Sequence, residues 1–244
     1  MQAVDKALEH QVLTEVWESY DDEEYRRDQS HWRGVGRWAD DAVWQGIGRR
    51  TLHNLNLAAA LANQIPVDVR TEQVALEWGP GGGANMFSFR NVVRSYYGID
   101  ISASNLAEAD RMIRTEGYDI YRPVLVSDNV SEVAKAVPEP VDIFLSTAVF
   151  QHFPNKAYGE EVLRAIRACC RIGAIGSIQI RFDNDNPRYK GEISIEEYKA
   201  RHIFANSYRL DEFWNLCRDV GLPPLAIPAL STTNNYATFL LKAV

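Results

Sequence analysis

Cysteine is scarce: three residues in 244, with Cys169 and Cys170 adjacent and Cys217 alone. Adjacent cysteines pair poorly, no C-x-x-C spacing occurs, and the odd count fits a reducing compartment. Three plain core thiols in a cytoplasmic protein are therefore expected. No apolar run is long enough to span a bilayer, and the start MQAVDKALEH lacks the basic-then-apolar order of a secretory leader. Basic clusters are nearly missing too. Arg26-Arg27 and Arg49-Arg50 are the only adjacent pairs, and 26 Lys and Arg stand against 33 Asp and Glu, a net charge of −7. Nucleic-acid surfaces show a basic stripe, so neither nucleic acid nor membrane is an expected partner. Several catalytic classes lack their parts: there is no G-x-S-x-G elbow, no H-E-x-x-H and no Walker lysine after a glycine loop.

What is present concentrates between Val74 and Asp100. A short apolar run, Val74-Ala75-Leu76, reaches an acid, Glu77, and then the turn Gly79-Pro80-Gly81-Gly82-Gly83. An amphipathic segment (Met86, Phe87, Phe89, Val92) and a second strand-like run, Tyr96 to Ile99, follow, closed by Asp100. Strand, glycine loop, helix, strand and acid build a nucleotide pocket at the C-terminal edges of parallel strands. Glycine admits φ > 0 and close ligand approach, the helix N-terminus offers free N–H donors, and Asp100 can accept both hydroxyls of a ribose. Two ligand classes share this plan. The loop satisfies G-x-G-x-x-A with an acid about 20 residues on, as dinucleotide sites do, and it also satisfies acid-x-G-x-G-x-G.

By the second pattern the chain resembles the class I S-adenosylmethionine-dependent methyltransferases. The remaining segments extend the likeness over about residues 70–244. Ser102 suits an N-cap for a helix to Glu116 with Gly117 as its stop. Pro123 to Asp128 reads as a third strand, Val141 to Ser146 as a buried fourth strand running into the loop Thr147 to Pro154, and Lys156 to Arg171 as a helix with Gly173 at its C′ position. Ala174 to Phe182 reads as a fifth strand, Leu210 to Val220 as a helix, and Leu225-Ala226-Ile227 with Tyr236 to Leu241 as a closing antiparallel hairpin. The expected fold is thus α/β, doubly wound, with seven mostly parallel strands and an antiparallel last strand. Residues 1–70, with helices over Ala3 to Tyr20 and Ala39 to Asn63, form a helical cap covering the substrate. Residues 71–244 form the cofactor domain, with 183–206 as a lid-like insertion.

The resemblance implies S-adenosylmethionine as cofactor. Glu77, Gly79, Gly81 and Gly83 would hold its amino-acid part, with Trp78, Ile101 and Thr147 as walls. Asp100 would take the ribose, and Asp128, with Asn129 beside it, the adenine. The segment after the fourth strand would face the methyl acceptor, which makes His152 the candidate base or acceptor-orienting residue. Trp32, Arg33, Trp38 and Arg181 are candidate contacts for an aromatic or anionic small molecule, such as a sugar or natural product. Asp183-Asn184 stands where catechol-type relatives bind a divalent ion, but the fourth strand ends Ser146-Thr147-Ala148 without their aspartate, so no metal is expected. The overall expectation is O-methylation of a small molecule; a homodimer is compatible with it. An NAD(P)-dependent oxidoreductase and a non-catalytic cofactor-binding protein are the alternatives.

Overall fold

The computed structural model describes residues 6–19, 21–189 and 191–244. Ala3, Val4 and Tyr20, part of the first expected helix, lie outside the described residues.

Three helices precede the sheet: α1 (Lys6–Ser19), α2 (Glu23–Gln29) and α3 (Asp41–Leu61). Each N-terminus with a described cap is closed by an aspartate. Asp22 accepts from Tyr25 N–H, and Asp40 accepts from Ala42 and Val43 N–H, an arrangement that satisfies donors the helix cannot. The sheet strands are β1 (Gln73–Trp78), β2 (Val93–Asp100), β3 (Tyr121–Leu125), β4 (Val141–Ser146), β5 (Cys170–Arg181), β6 (Pro224–Ser231) and β7 (Tyr236–Lys242). Their spatial order is β3-β2-β1-β4-β5-β7-β6. The first five are mutually parallel, and β7 is inserted antiparallel between β5 and β6. Chain order reverses between β1 and β4, the switch point where such sheets bind ligands.

Helices α3, α4 (Ala84–Phe89) and α5 (Ala103–Thr115) cover one face of the sheet; α6 (Val133–Ala136), α7 (Lys156–Cys169) and α9 (Leu210–Asp219) cover the other. Between them β1 is buried along its whole length, as a strand covered on both faces must be. Within the region expected as a cap, α3 is a sheet-covering helix: Trp44, Leu55 and Ala58 are fully buried beside Ala75 and Ile143. By contrast α1 packs on α8 (Ile195–Arg201), where Leu13 and Val16 meet Tyr198 and Ala205. The N-terminal segment and the 183–206 insertion therefore bury each other.

Two boundaries differ from the sequence expectation. The helix before β5 ends at Cys169, and β5 begins at Cys170 with Gly173 inside it at φ +85°. Gly173 is a strand irregularity, lying where the pairing with β4 shifts between Val141 and Ile143. The third strand stops at Leu125, so residues 126–129 form a loop rather than the tip of a strand. The three cysteines are free and buried, and burial pushes the Cys169 thiol up to about 11. No helix among the described residues is long and apolar enough to cross a membrane.

Candidate active site

An open cavity lies at the C-terminal ends of β1, β2 and β4. Gly79, Gly81 and Trp78 form one wall, and Asp100, Ile101, Asn105 and Val126 another. Thr147, His152 and Tyr158 line it as well, with Leu13 and Trp17 of α1.

The glycine loop needs glycine for two reasons. Gly79, Gly81 and Gly83 have φ of +74°, +50° and +84°, a region L side chains rarely adopt. A Cβ on Gly79 would stand 2.4 Å from Val149 Cγ2, and one on Gly81 would stand 2.2 Å from the Ser30 carbonyl oxygen. Gly83 is the N-cap of α4, and its missing Cβ makes room for the Met112 methyl rather than for a ligand. Ala148, which also lines the cavity, has positive φ too, +57°. Such a conformation in a residue with a side chain is costly and concentrates at functional sites.

Asp100 sits at the end of β2 and is only 8% exposed. It accepts from Ser102 N–H at 2.9 Å. Burial pushes its carboxyl up to about 6, against the pull of donors from Ser102, Ile101, Gly81 and Asn105. A buried carboxylate aimed at a cavity and held by its own loop is a ready acceptor for ligand hydroxyls.

Glu77 is brought close to the loop but not onto the cavity wall. Its oxygens accept from Asn85 Nδ2 at 2.5 Å and from Tyr96 OH at 2.7 Å. These bonds tie α4 to β2 through a buried acid that does not itself line the cavity. Burial pushes it up to about 7, with the two hydrogen bonds pulling back. A raised carboxyl adds stability below its unfolded value and loses it as pH rises through about 7. The wild type is therefore expected to lose about 3 kcal/mol from this group between pH 4.5 and pH 8. Glu77→Gln, which keeps an acceptor, is expected to be flatter over that range in thermal melts. Parallel curves for the two proteins would contradict this burial penalty.

Asp128 and Asn129 are not brought to the cavity. Both are exposed on the loop after β3, and Asn129 accepts from Ser131 N–H as the N-cap of a short 3-10 turn. Val126 is the residue of that loop on the cavity wall. The aromatic and arginine candidates also lie elsewhere. Trp32 Nε1 donates to Asn105 Oδ1 at 2.9 Å, Trp38 Nε1 donates to the Asp28 carbonyl at 2.7 Å, and Arg33 pairs with Asp41 and Glu116. They fasten the N-terminal segment down, and Trp32 orients the amide that in turn donates to Asp100.

His152 does reach the cavity, in a 3-10 turn over Phe150–His152. Its Nδ1 lies 3.0 Å from the His202 carbonyl oxygen, which can only accept, so Nδ1 carries the proton. Nε2 is then an acceptor, and the Gln151 amide nitrogen stands 3.1 Å from it. Burial lowers the imidazole to about 3, so the ring is neutral at ordinary pH. Arg181 stands behind it: its NH2 donates to Tyr236 OH at 2.8 Å, and Tyr236 OH accepts in turn from Gln151 Nε2 at 3.4 Å. Asp183 Oδ1 accepts from Asp185 N–H in a local turn, and Asn184 Oδ1 accepts from Asn235 Nδ2, 51 positions on. No cluster of three or more metal-ligating side chains occurs among the described residues. Sequence reasoning missed Ser30, Asn105 and Tyr158 as wall residues; no local pattern marks them.

Residues 76–175 match the family model of a methyltransferase domain. Over 131 residues the chain is 28% identical to enniatin synthase of Fusarium equiseti and to enniatin synthetase of Fusarium oxysporum. That stretch is 54% of this chain and only 4% of the length of either relative. Among solved structures, magnesium protoporphyrin IX methyltransferase from Synechocystis PCC 6803 with bound SAH has TM-score 0.64 at 14% identity, covering 97% of this chain and 99% of that one. An S-adenosylmethionine-dependent methyltransferase from Clostridium acetobutylicum ATCC 824 has TM-score 0.60 at 11% identity, covering 80% and 92%. The mitomycin 7-O-methyltransferase MmcR has TM-score 0.53 at 13% identity, covering 79% and 54%. At these identities the structural likeness speaks for the fold. The cavity fits the cofactor of this fold on its own terms, because the loop approaches it without side chains and an acid with hydrogen-bond capacity stands opposite. Residues 76–175 thus match a methyltransferase domain, and the sheet with its inserted antiparallel β7 has the Rossmann-like fold of S-adenosylmethionine-dependent methyltransferases.

Proposed function

We propose that the chain methylates an oxygen of a small molecule bound in this cavity between α1 and His152. Bound S-adenosylmethionine supplies a methyl group on a sulfonium; the acceptor oxygen forms the new C–O bond in line as the C–S bond breaks. The residues' task is alignment, which can account for much of the barrier reduction. Asp100 and the glycine loop fix one end of the reacting pair. Leu13, Trp17, Tyr158 and His152 surround the other.

The observation that carries the oxygen reading is the fixed tautomer of His152. Its Nε2 lone pair is the basic atom of the ring, and an acceptor hydroxyl that displaces the Gln151 amide can donate to it. With the imidazole lowered to about 3, this ring orients a hydroxyl and stores its proton poorly. The acceptors it suits best are phenols, which donate to Nε2 and release their proton to solvent as the C–O bond forms, ahead of the less acidic sugar alcohols. Two proteins of similar fold, the mitomycin 7-O-methyltransferase and an O-methyltransferase family 2 protein from Planctomyces limnophilus, support the same direction.

The test is a panel of phenols, carboxylic acids, sugars and amines incubated with methyl-labelled S-adenosylmethionine, followed by mass spectrometry of the products. Label on the oxygen of a phenol is expected. Label on nitrogen or carbon alone would sink the oxygen assignment while leaving the enzyme class intact.

A further inference from the structure

Arg181 is the last residue of β5, at the same end of the sheet as the cavity, and is 5% exposed. Three rings enclose its guanidinium: the centroids of Tyr189, Phe204 and Tyr236 lie 4.8, 5.0 and 5.0 Å from its central carbon. Nη1 donates to the Ile203 carbonyl at 3.2 Å and Nη2 to Tyr236 OH at 2.8 Å, while Nε is buried without a partner. No carboxylate pairs with it among the described residues. Ring faces attract a cation, but a buried charge without a counter-ion is costly to keep.

A short chain of polar groups leads from this charge to His152. Tyr236 OH, which accepts from Arg181, also accepts from Gln151 Nε2 at 3.4 Å. The same amide nitrogen stands 3.1 Å from His152 Nε2. Burial first, and the Arg181 charge among the lesser causes, keeps the His152 ring neutral. The titratable and charged groups around the guanidinium are Tyr189, Tyr236 and the exposed Arg188, whose own guanidinium lies over the Tyr189 and Phe204 rings. His202 and His31 are those that act on His152 beside Arg181. The acids nearest in sequence are occupied elsewhere: Asp183 accepts from Asp185 N–H, and Glu192 from Lys156 N–H. Asp100, the only carboxylate among the cavity-lining residues, is held by donors from Ser102, Ile101, Gly81 and Asn105.

We propose that Arg181 is a positioning residue that sets acceptor selectivity: its charge favours an acceptor oxygen that ionises beside His152 and disfavours an acceptor amine. This rests on the reading of the cavity as an oxygen-methylating site. The two acceptors differ in where charge goes. A phenol releases its proton to solvent, its oxygen pair forms the C–O bond as the C–S bond breaks, and the phenolate and sulfonium charges cancel. With an amine, the nitrogen pair forms a C–N bond, and the positive charge moves from sulfur onto nitrogen, beside a fixed cation. In a site shielded from water such a cation stabilises the first course and opposes the second.

The experiment is spectrophotometric titration of para-nitrophenol, whose ionised form alone absorbs strongly in the visible, on protein saturated with S-adenosylhomocysteine. Wild type is compared with Arg181→Met, which keeps an apolar stem among the rings, and with Arg181→Lys, which keeps the charge. Bound to wild type and to Arg181→Lys, the probe is expected to ionise about one pH unit below its free midpoint, about a tenfold preference for the anion. Bound to Arg181→Met, it is expected to ionise at or above that midpoint. Wild type alone gives a second measurement, which decides even where Arg181→Met is too unstable to titrate. Its affinity for para-nitrophenol is expected to rise about tenfold across the midpoint, and that for uncharged para-nitroaniline to stay level. A lowered midpoint that persists in Arg181→Met, or that Arg181→Lys fails to keep, would make Arg181 a brace for the 183–206 segment. That result, or an unshifted midpoint in wild type, overturns the proposal. Wild type that binds neither nitro compound would overturn the phenol reading of the cavity itself.

Discussion

His152→Ala is expected to lower kcat/KM for the methyl acceptor by about a hundredfold, in the range measured for positioned hydrogen-bonding groups in catalysis, while S-adenosylhomocysteine affinity changes less than about twofold. The split follows from position. His152 stands after β4 with its ring 4.9 Å from that of Trp17, and its ring nitrogens meet Gln151 and the His202 carbonyl. A second readout separates orientation from proton storage. Because burial keeps the ring neutral down to about pH 3, kcat of the wild type is expected to show no imidazole inflection between pH 5 and pH 8. A fall in kcat below pH 6.5 that His152→Ala removes would show a ring of ordinary basicity acting as general base. Equal weakening of cofactor and acceptor would mean that the substitution collapses the 3-10 turn held by the His202 carbonyl.

Gly81→Ala is expected to reduce S-adenosylhomocysteine affinity about thirtyfold or more, since a penalty of about 2 kcal/mol corresponds to that factor. Two effects coincide at this position. The residue has φ +50°, and its new Cβ would stand 2.2 Å from the Ser30 carbonyl oxygen. Backbone must move, and either the segment at Ser30 lifts or the loop sinks; each displaces the N–H that Gly81 gives to Asp100. Gly117→Ala is the matched control. Gly117 has φ +85° with nothing within 4 Å, so substitution there carries strain without collision and lies far from the cavity. It is expected to lower the melting temperature and to leave ligand affinity alone. Similar affinity loss in both variants would show that general destabilisation, not the loop geometry, is being measured.

The site residues that were legible from sequence are those whose role is local. Gly79, Gly81 and Asp100 belong to one strand-loop-helix-strand unit, in which spacing dictates position. Thr147 and His152 follow β4, whose unbroken apolar run marks a central strand. The antiparallel ending was legible because residues 232–235 are too few for a crossover. What stayed hidden depends on contacts far apart in sequence. Glu77 fits the acid-x-G-x-G-x-G pattern, yet only the folded chain brings Tyr96 and Asn85 onto its oxygens. Asp128 reads as a strand-end acid, but pairing of β3 with β2 ends at Leu125, and the side chain turns to solvent. Trp32 and Arg33 have the composition of a ligand contact, whereas their partners are Asn105 and Glu116, more than 70 positions on. Ser30 belongs to no motif at all; its place at the loop follows from packing alone.

The most direct test of the account is calorimetric titration of the purified chain with S-adenosylhomocysteine and, separately, with NAD+, each repeated on Asp100→Ala. Micromolar binding of S-adenosylhomocysteine at one site per chain is expected, weakened about a hundredfold in the variant by loss of the hydrogen bonds to a charged acceptor, with no heat from NAD+. Binding of NAD+ in place of S-adenosylhomocysteine would contradict the account, and the loop from Gly79 to Gly83 would then be a dinucleotide turn.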